Sequence, residues 1–143
     1  MTKVSAILGR KGNQAIGVEP ETSVLDALKI MADKNIGSLV VTEQGRYIGM
    51  LTERDYARKV ALKGKHSIAT KVSEIMSTDL PAIHLDDSLE HCMSLMTDHN
   101  IRYLPVFDNG NLAGIISMSD VVKETILAQK ETISHLENYI HGQ

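Results

Sequence analysis

Two seven-residue stretches carry the side chains best spaced for chemistry: Gly49-Met50-Leu51-Thr52-Glu53-Arg54-Asp55 and Gly114-Ile115-Ile116-Ser117-Met118-Ser119-Asp120. Each sets a hydroxyl three residues ahead of a carboxylate, after a glycine and two apolar residues that finish a strand. A carboxylate so placed can grip the paired hydroxyls of a ribose, while the hydroxyl side chain and the helix N-terminus orient the rest of a nucleotide. A hydrogen bond to a charged group contributes about 1.5 to 3 kcal/mol, enough to select ribose over an analogue without hydroxyls. The same spacing also makes a helix cap, with the hydroxyl at N-cap and the acid at N3 satisfying orphan amides. From these residues alone both readings stand.

Chemistry of other kinds lacks its residues. Gly12 and Gly17 have the spacing of a phosphate-binding loop, but Val18-Glu19 stands where Lys-Ser/Thr is needed. His91, Cys92 and His99 suggest a metal or a thiol-imidazole pair, yet Cys92 falls on an apolar helix face and His99 near a helix end. The two aspartates have no second carboxylate or base nearby in sequence, so acid-base catalysis has no evident players. The expectation is a protein that is not an enzyme and requires no metal.

The elements that position the aspartates come in two copies. An offset of 65 aligns Thr22–Lys59 with Asp87–Glu124 without a gap, and ten of the 38 pairs are identical, Asp55 with Asp120 among them. Upstream, Val4-Ser5-Ala6-Ile7-Leu8 answers Val72-Ser73-Glu74-Ile75-Met76. Each copy reads as a short strand (Ile16–Val18; Ala82–Leu85), then a helix opened by Ser23-x-x-Asp26 or Asp87-x-x-Glu90. Val24, Ala27, Leu28 and Met31, and likewise Leu89, Cys92, Met93 and Met96, form one helical face that must be buried. A hairpin follows, turning at Gly45 and at Asn109-Gly110, and then a second helix, from about Glu53 to Lys63 and from about Ser119 onward. The expected fold is α+β, two β-α-β-β-α repeats packed about a pseudo-twofold axis, with an extended C-terminal helix. Repeat one spans 4–63, a polar linker 64–71, repeat two 72–126 and the helical extension 127–143. A groove shared by corresponding loops is the default ligand site.

Two copies ending in Gly-x-x-Thr/Ser-x-x-Asp, in register with a doubled hydrophobic pattern, resemble a pair of CBS domains, named for cystathionine β-synthase, over roughly residues 4 to 126. The resemblance implies a regulatory module without catalysis that binds AMP, ATP or NAD, with S-adenosylmethionine ranked after these, and modulates a partner protein. It implies ribose contacts from Asp55 and Asp120, with Thr52 and Ser117 near the ribose or α-phosphate. Val18, Ile36, Gly37 and Ser38, with Ile83, Ile101, Tyr103 and Pro105, would wall the adenine. Arg102 resembles the family's phosphate-contacting basic position, its counterpart being Gly37, while Arg54 faces Ser119 under the offset. The two sites should therefore differ. Lys11, in Gly9-Arg10-Lys11-Gly12, is a further candidate for the same anion. The alternative is a structural dimerisation module with vestigial clefts.

Composition bounds the partners. The chain of 143 residues is 43% hydrophobic and 23% charged, an ordinary globular balance. A net charge of -3 and only one Phe, four Tyr and no Trp argue against nucleic acid. No apolar run approaches the roughly 18 to 20 residues of a membrane span. The single cysteine and the lack of a signal-like segment point to a cytoplasmic protein. Along the C-terminal helix Ile126, Ile133 and Ile140 recur every seven residues with Leu136 between them, a partial seam that suggests a homodimer or docking contact.

Overall fold

The computed structural model describes residues 2–12 and 15–141. They form two compact units: a first of residues 15–80, and a second in which residues 2–12 join residues 81–141.

The first unit holds a three-stranded sheet of β1 (Gly17–Val18), β2 (Ser38–Glu43) and β3 (Arg46–Thr52), in that spatial order. β1 runs parallel to β2, and β2 pairs antiparallel with β3. α2 (Val24–Lys34) connects β1 to β2. It starts where Ser23 Oγ accepts the Asp26 amide and ends at Asn35, whose φ of 53° is the left-handed stop. The hairpin turn is two residues long, Gln44 (φ 53°) and Gly45 (φ 77°), both left-handed as the right-handed strand twist requires. A bulge follows Val41, so that Val41 pairs with Gly49 and Thr42 with Tyr47. The helix expected over residues 53–63 is one α-turn, α3 (Glu53–Tyr56), that widens into a π-type turn over Ala57–Ala61.

The second unit repeats this plan with β4 (Ile83–His84), α5 (Leu89–Asp98), β5 (Tyr103–Asp108), β6 (Asn111–Ser117) and α6 (Met118–Ile140). Its turn, Asn109-Gly110, and its bulge after Val106 match the first copy. Ser88, not the expected Asp87, caps α5 by accepting the His91 amide. Asp87 Oδ2 instead accepts from the His84 amide at 2.8 Å. Ser88 is the counterpart of Ser23 at the offset of 65.

Packing groups two helices differently from the sequence copies. α1 (Val4–Lys11) opens the first copy, but Val4, Ile7 and Leu8 are buried with Ile83, Leu89, Cys92, Met96, Leu104, Val106, Ile116 and Val121 in the second unit's core. α4 (Val72–Ile75) leads the second copy, but Val72 and Ile75 pack with Val24, Ala27, Met31, Leu39, Val41 and Leu51 in the first. The segment expected as a linker is held down as well. Ser67 and Thr70 carbonyls accept from Leu25 and Val24 amides at 3.1 and 2.8 Å, taking orphan donors at the start of α2. Met93, expected on the buried face of α5, is 38% exposed.

Candidate functional site

Each aspartate sits at the first turn of a helix because the preceding hydroxyl caps it. In the second unit Ser117 Oγ accepts the Asp120 amide at 3.1 Å, and Asp120 Oδ2 accepts the Ser117 amide at 2.8 Å. The reciprocal box satisfies two amides at the start of a helix of 23 residues. Oδ2 also receives Lys11 Nζ at 2.8 Å, and the same ammonium donates to the Ile115 carbonyl at 2.9 Å. One residue earlier, Arg10 Nε lies 3.0 Å from Oε2 of the buried Glu124. Two consecutive bases of α1 thus clamp two acids one turn apart on α6. Burial works against ionisation of Asp120, but the bonds from Lys11 and Ser117 outweigh it and hold the carboxyl below the usual carboxylate range.

Asp55 in the first unit has the same box and a fuller set of partners. Oδ2 takes the Thr52 amide and the Thr52 hydroxyl, each at 3.0 Å. Oδ1 takes Ser77 Oγ at 2.9 Å and Lys59 Nζ at 3.0 Å. Lys59 also donates to the Ile75 carbonyl at 2.9 Å. The side chain of Asp55 is 8% exposed, against 17% for Asp120. One carboxylate is engaged through both oxygens, while the bonds above gather on Oδ2 of the other. The helices differ too, since α3 has four residues and α6 has 23.

The remaining expected site residues fall into three groups. Along β5, Leu104 and Val106 enter the core, so Tyr103 and Pro105 stand on the opposite face, beside their cross-strand partners Ser117 and Ile115. Ser38 stands likewise opposite Thr52 on β2, away from Leu39 and Val41. Ile36 and Ile101 pack partly against their own cores. The carbonyls of Gly37 and Arg102 accept from Glu53 and Met118 amides at 3.1 and 2.8 Å, pinning each post-helix loop to the start of the capped helix. Arg102 is exposed and Arg54 half-buried.

Val18 and Ile83 depart from the expectation. The resemblance implies adenine walls at both, yet each is buried in its hydrophobic core, where parallel pairing sets Val18 beside Val41 and Ile83 beside Val106. Their side chains are committed to packing. Lys11, expected near a phosphate, is paired with the carboxylate of Asp120 instead.

Gly49 serves the chain itself. A Cβ there would lie 2.8 Å from the Ser77 carbonyl oxygen, because residue 77 bridges to Met50 through bonds of 2.9 and 2.8 Å. Ser77 was not anticipated, standing 22 residues beyond the carboxylate it serves. Among the described residues no three His, Cys, Asp or Glu side chains gather as a metal would require, and no helix is long and apolar enough to cross a membrane.

Two copies of a capped β-α-β-β-α unit match a known family in sequence. The model of the CBS domain matches residues 12–62 and again 72–126. The chain belongs to the CBS-domain family. A CBS domain-containing protein of Bacillus subtilis is 35% identical over 96% of this chain and 97% of its own. The structure of a protein with CBS domains from Burkholderia ambifaria superposes with a TM-score of 0.86 at 44% identity, covering 90% of this chain and 96% of that one. A CBS domain pair solved in complex with 5′-methylthioadenosine and S-adenosyl-L-methionine has a TM-score of 0.76 and 27% identity, covering 87% and 99%. CBS pairs are regulatory modules, and a homologue of this one binds adenosine-containing ligands.

Proposed function

We propose that this CBS pair is a non-catalytic regulatory module whose second unit grips the ribose of an adenosine-containing ligand through Asp120 and Ser117. Ligand occupancy would be read by a partner protein in the cytoplasm. The observation that carries the proposal is the contrast between the two aspartates. Asp120 is ionised, less buried than Asp55, and bonded through Oδ2 at the head of a long helix whose dipole favours an anion there. Tyr103 and Ile115 lie on the same sheet face as Ser117, are half-buried and offer surface to a base, while Pro105 on that face is buried. Arg102, exposed at the adjoining loop, is the residue assigned to a phosphate or to another anionic group. The ligands of the homologous pair share adenosine and differ at the 5′ substituent, which supports adenosine as the recognised part. The choice among AMP, ATP, NAD and S-adenosylmethionine falls to groups beyond the ribose.

For the first unit the structural reading is favoured, because a ribose at Asp55 would have to displace both Ser77 and Lys59. Thr52 then serves the cap rather than a ligand.

Calorimetric titration with AMP, its 2′-deoxy analogue, GMP and S-adenosylmethionine tests the proposal. Adenosine compounds should bind, and the 2′-deoxy analogue should bind about ten- to hundredfold more weakly, the equivalent of 1.5 to 3 kcal/mol. Equal affinity for AMP and its deoxy analogue, or for AMP and GMP, overturns it.

A further inference from the structure

α6 has an apolar stripe that its own unit does not cover. Val121 and Glu124 are the residues it buries. Val122, Ile126, Ile133, Leu136 and Ile140 are between 45% and 75% exposed, and every residue from Gln129 to Ile140 is exposed. At about 100° per residue, Ile126 lies roughly 140° around the helix from Val121, so the stripe turns away from the packed face. Its spacing is that of the a and d positions of a heptad, with Ile126, Ile133 and Ile140 at a, and Val122, Gln129 and Leu136 at d. A segment this long with one apolar face and no cover is only marginally helical in water.

We propose that two copies of the chain pair antiparallel along α6. Antiparallel packing sets a against d, and one register uses the whole stripe. Ile126 meets Leu136, Ile133 meets Gln129 and Ile140 meets Val122 of the second copy, each twice by the two-fold symmetry. In that register the flanking e positions bring Lys123 opposite Glu137 of the second copy, again twice. Lys130 meets its own counterpart near the axis, where two long side chains can turn to solvent. The parallel arrangement sets Lys123, Lys130 and Glu137 against Met118, Thr125 and Thr132 of the second copy, and forms no opposite-charge pair. Charge complementarity therefore selects the antiparallel partner. On the other flank, Leu89 and Met93 of α5 and Thr125, Ala128 and Thr132 of α6 line a groove of about 440 Å³. Tyr139, 83% exposed, falls opposite Thr125 of the second copy, where its ring enters that groove.

The full-length chain tests this in the ultracentrifuge at low salt. The wild type should sediment as a dimer. Lys123→Glu and Glu137→Lys, both surface changes, should each weaken self-association at least tenfold, and the double variant should restore it. Thr132→Cys should cross-link two copies on mild oxidation, because the two residues 132 face one another across the axis. The one native thiol does not compete, since Cys92 is buried and burial pushes its pKa up to about 11. A monomer at 100-fold dilutions and at high concentration alike, a dimer indifferent to single charge reversals, or a double variant that fails to recover overturns the pairing. Cross-linking by Ile133→Cys in preference to Thr132→Cys would mean parallel helices and overturns the register.

Discussion

Removing the two aspartates one at a time should separate capping from ligand binding. Asp55→Ala removes the acid half of the capping box, which accepts the Thr52 amide and hydroxyl, about 1 kcal/mol, and leaves Ser77 Oγ without its charged acceptor, about 1.5 kcal/mol more. Lys59 keeps its bond to the Ile75 carbonyl and has solvent access, so its loss adds only a few tenths. The sum is roughly 3 kcal/mol, a fall in melting temperature on the order of 6 to 12 °C for a chain of this size. Asp120→Ala likewise loses the acid half of its box, which accepts the Ser117 amide, about 1 kcal/mol, but its ion pair with a partly exposed Lys11 adds about 0.5 kcal/mol. The expected fall is about 3 to 6 °C. Affinity should run in the opposite order. Asp120→Ala should weaken AMP or S-adenosylmethionine about ten- to hundredfold, while Asp55→Ala should stay within threefold of wild type. Thermal melts and calorimetric titrations on the same samples read the two effects separately. Unchanged affinity in Asp120→Ala refutes the ribose grip, and a large loss of affinity in Asp55→Ala refutes the assignment of that residue to structure.

Two further outcomes follow from the same bonds. The carboxyl of Asp120 is held below its unfolded value, so its contribution is complete above the ordinary carboxylate range near pH 4 and is lost as pH falls through the lowered value. The gap in urea midpoint between wild type and Asp120→Asn should stay constant from about pH 7 to 5 and close below about pH 4, and a gap that widens in acid contradicts the assigned partners. Gly49→Ala should cost about 1 to 3 kcal/mol, because the new methyl meets a backbone oxygen, whereas Gly9→Ala, within α1 and with open space around it, should stabilise by about 0.5 to 1 kcal/mol. Equal effects of the two changes in denaturant titrations would show that the backbone at Ser77 yields.

The sequence by itself determined what depends on neighbours in the chain. Helix faces, two-residue turns at Gly45 and Gly110, and hydroxyl-to-acid caps at Thr52 and Ser117 are set by spacings of two to four residues. Such spacings are visible in a string of letters, and the doubling at an offset of 65 made them specific. The family followed from these alone. Tertiary structure decided which partners each aspartate keeps. Lys11 reaches Asp120 across 109 positions and Ser77 reaches Asp55 across 22, and no local pattern announces either bond. It also decided that α1 and α4 complete the cores of units other than those their sequence copies suggest, because apolar residues on a short helix name a buried face and not its destination. Val18 and Ile83 turned inward for a similar reason. A strand of two residues is too short to show alternation, and only its parallel pairing with β2 or β5 fixes which side faces the core.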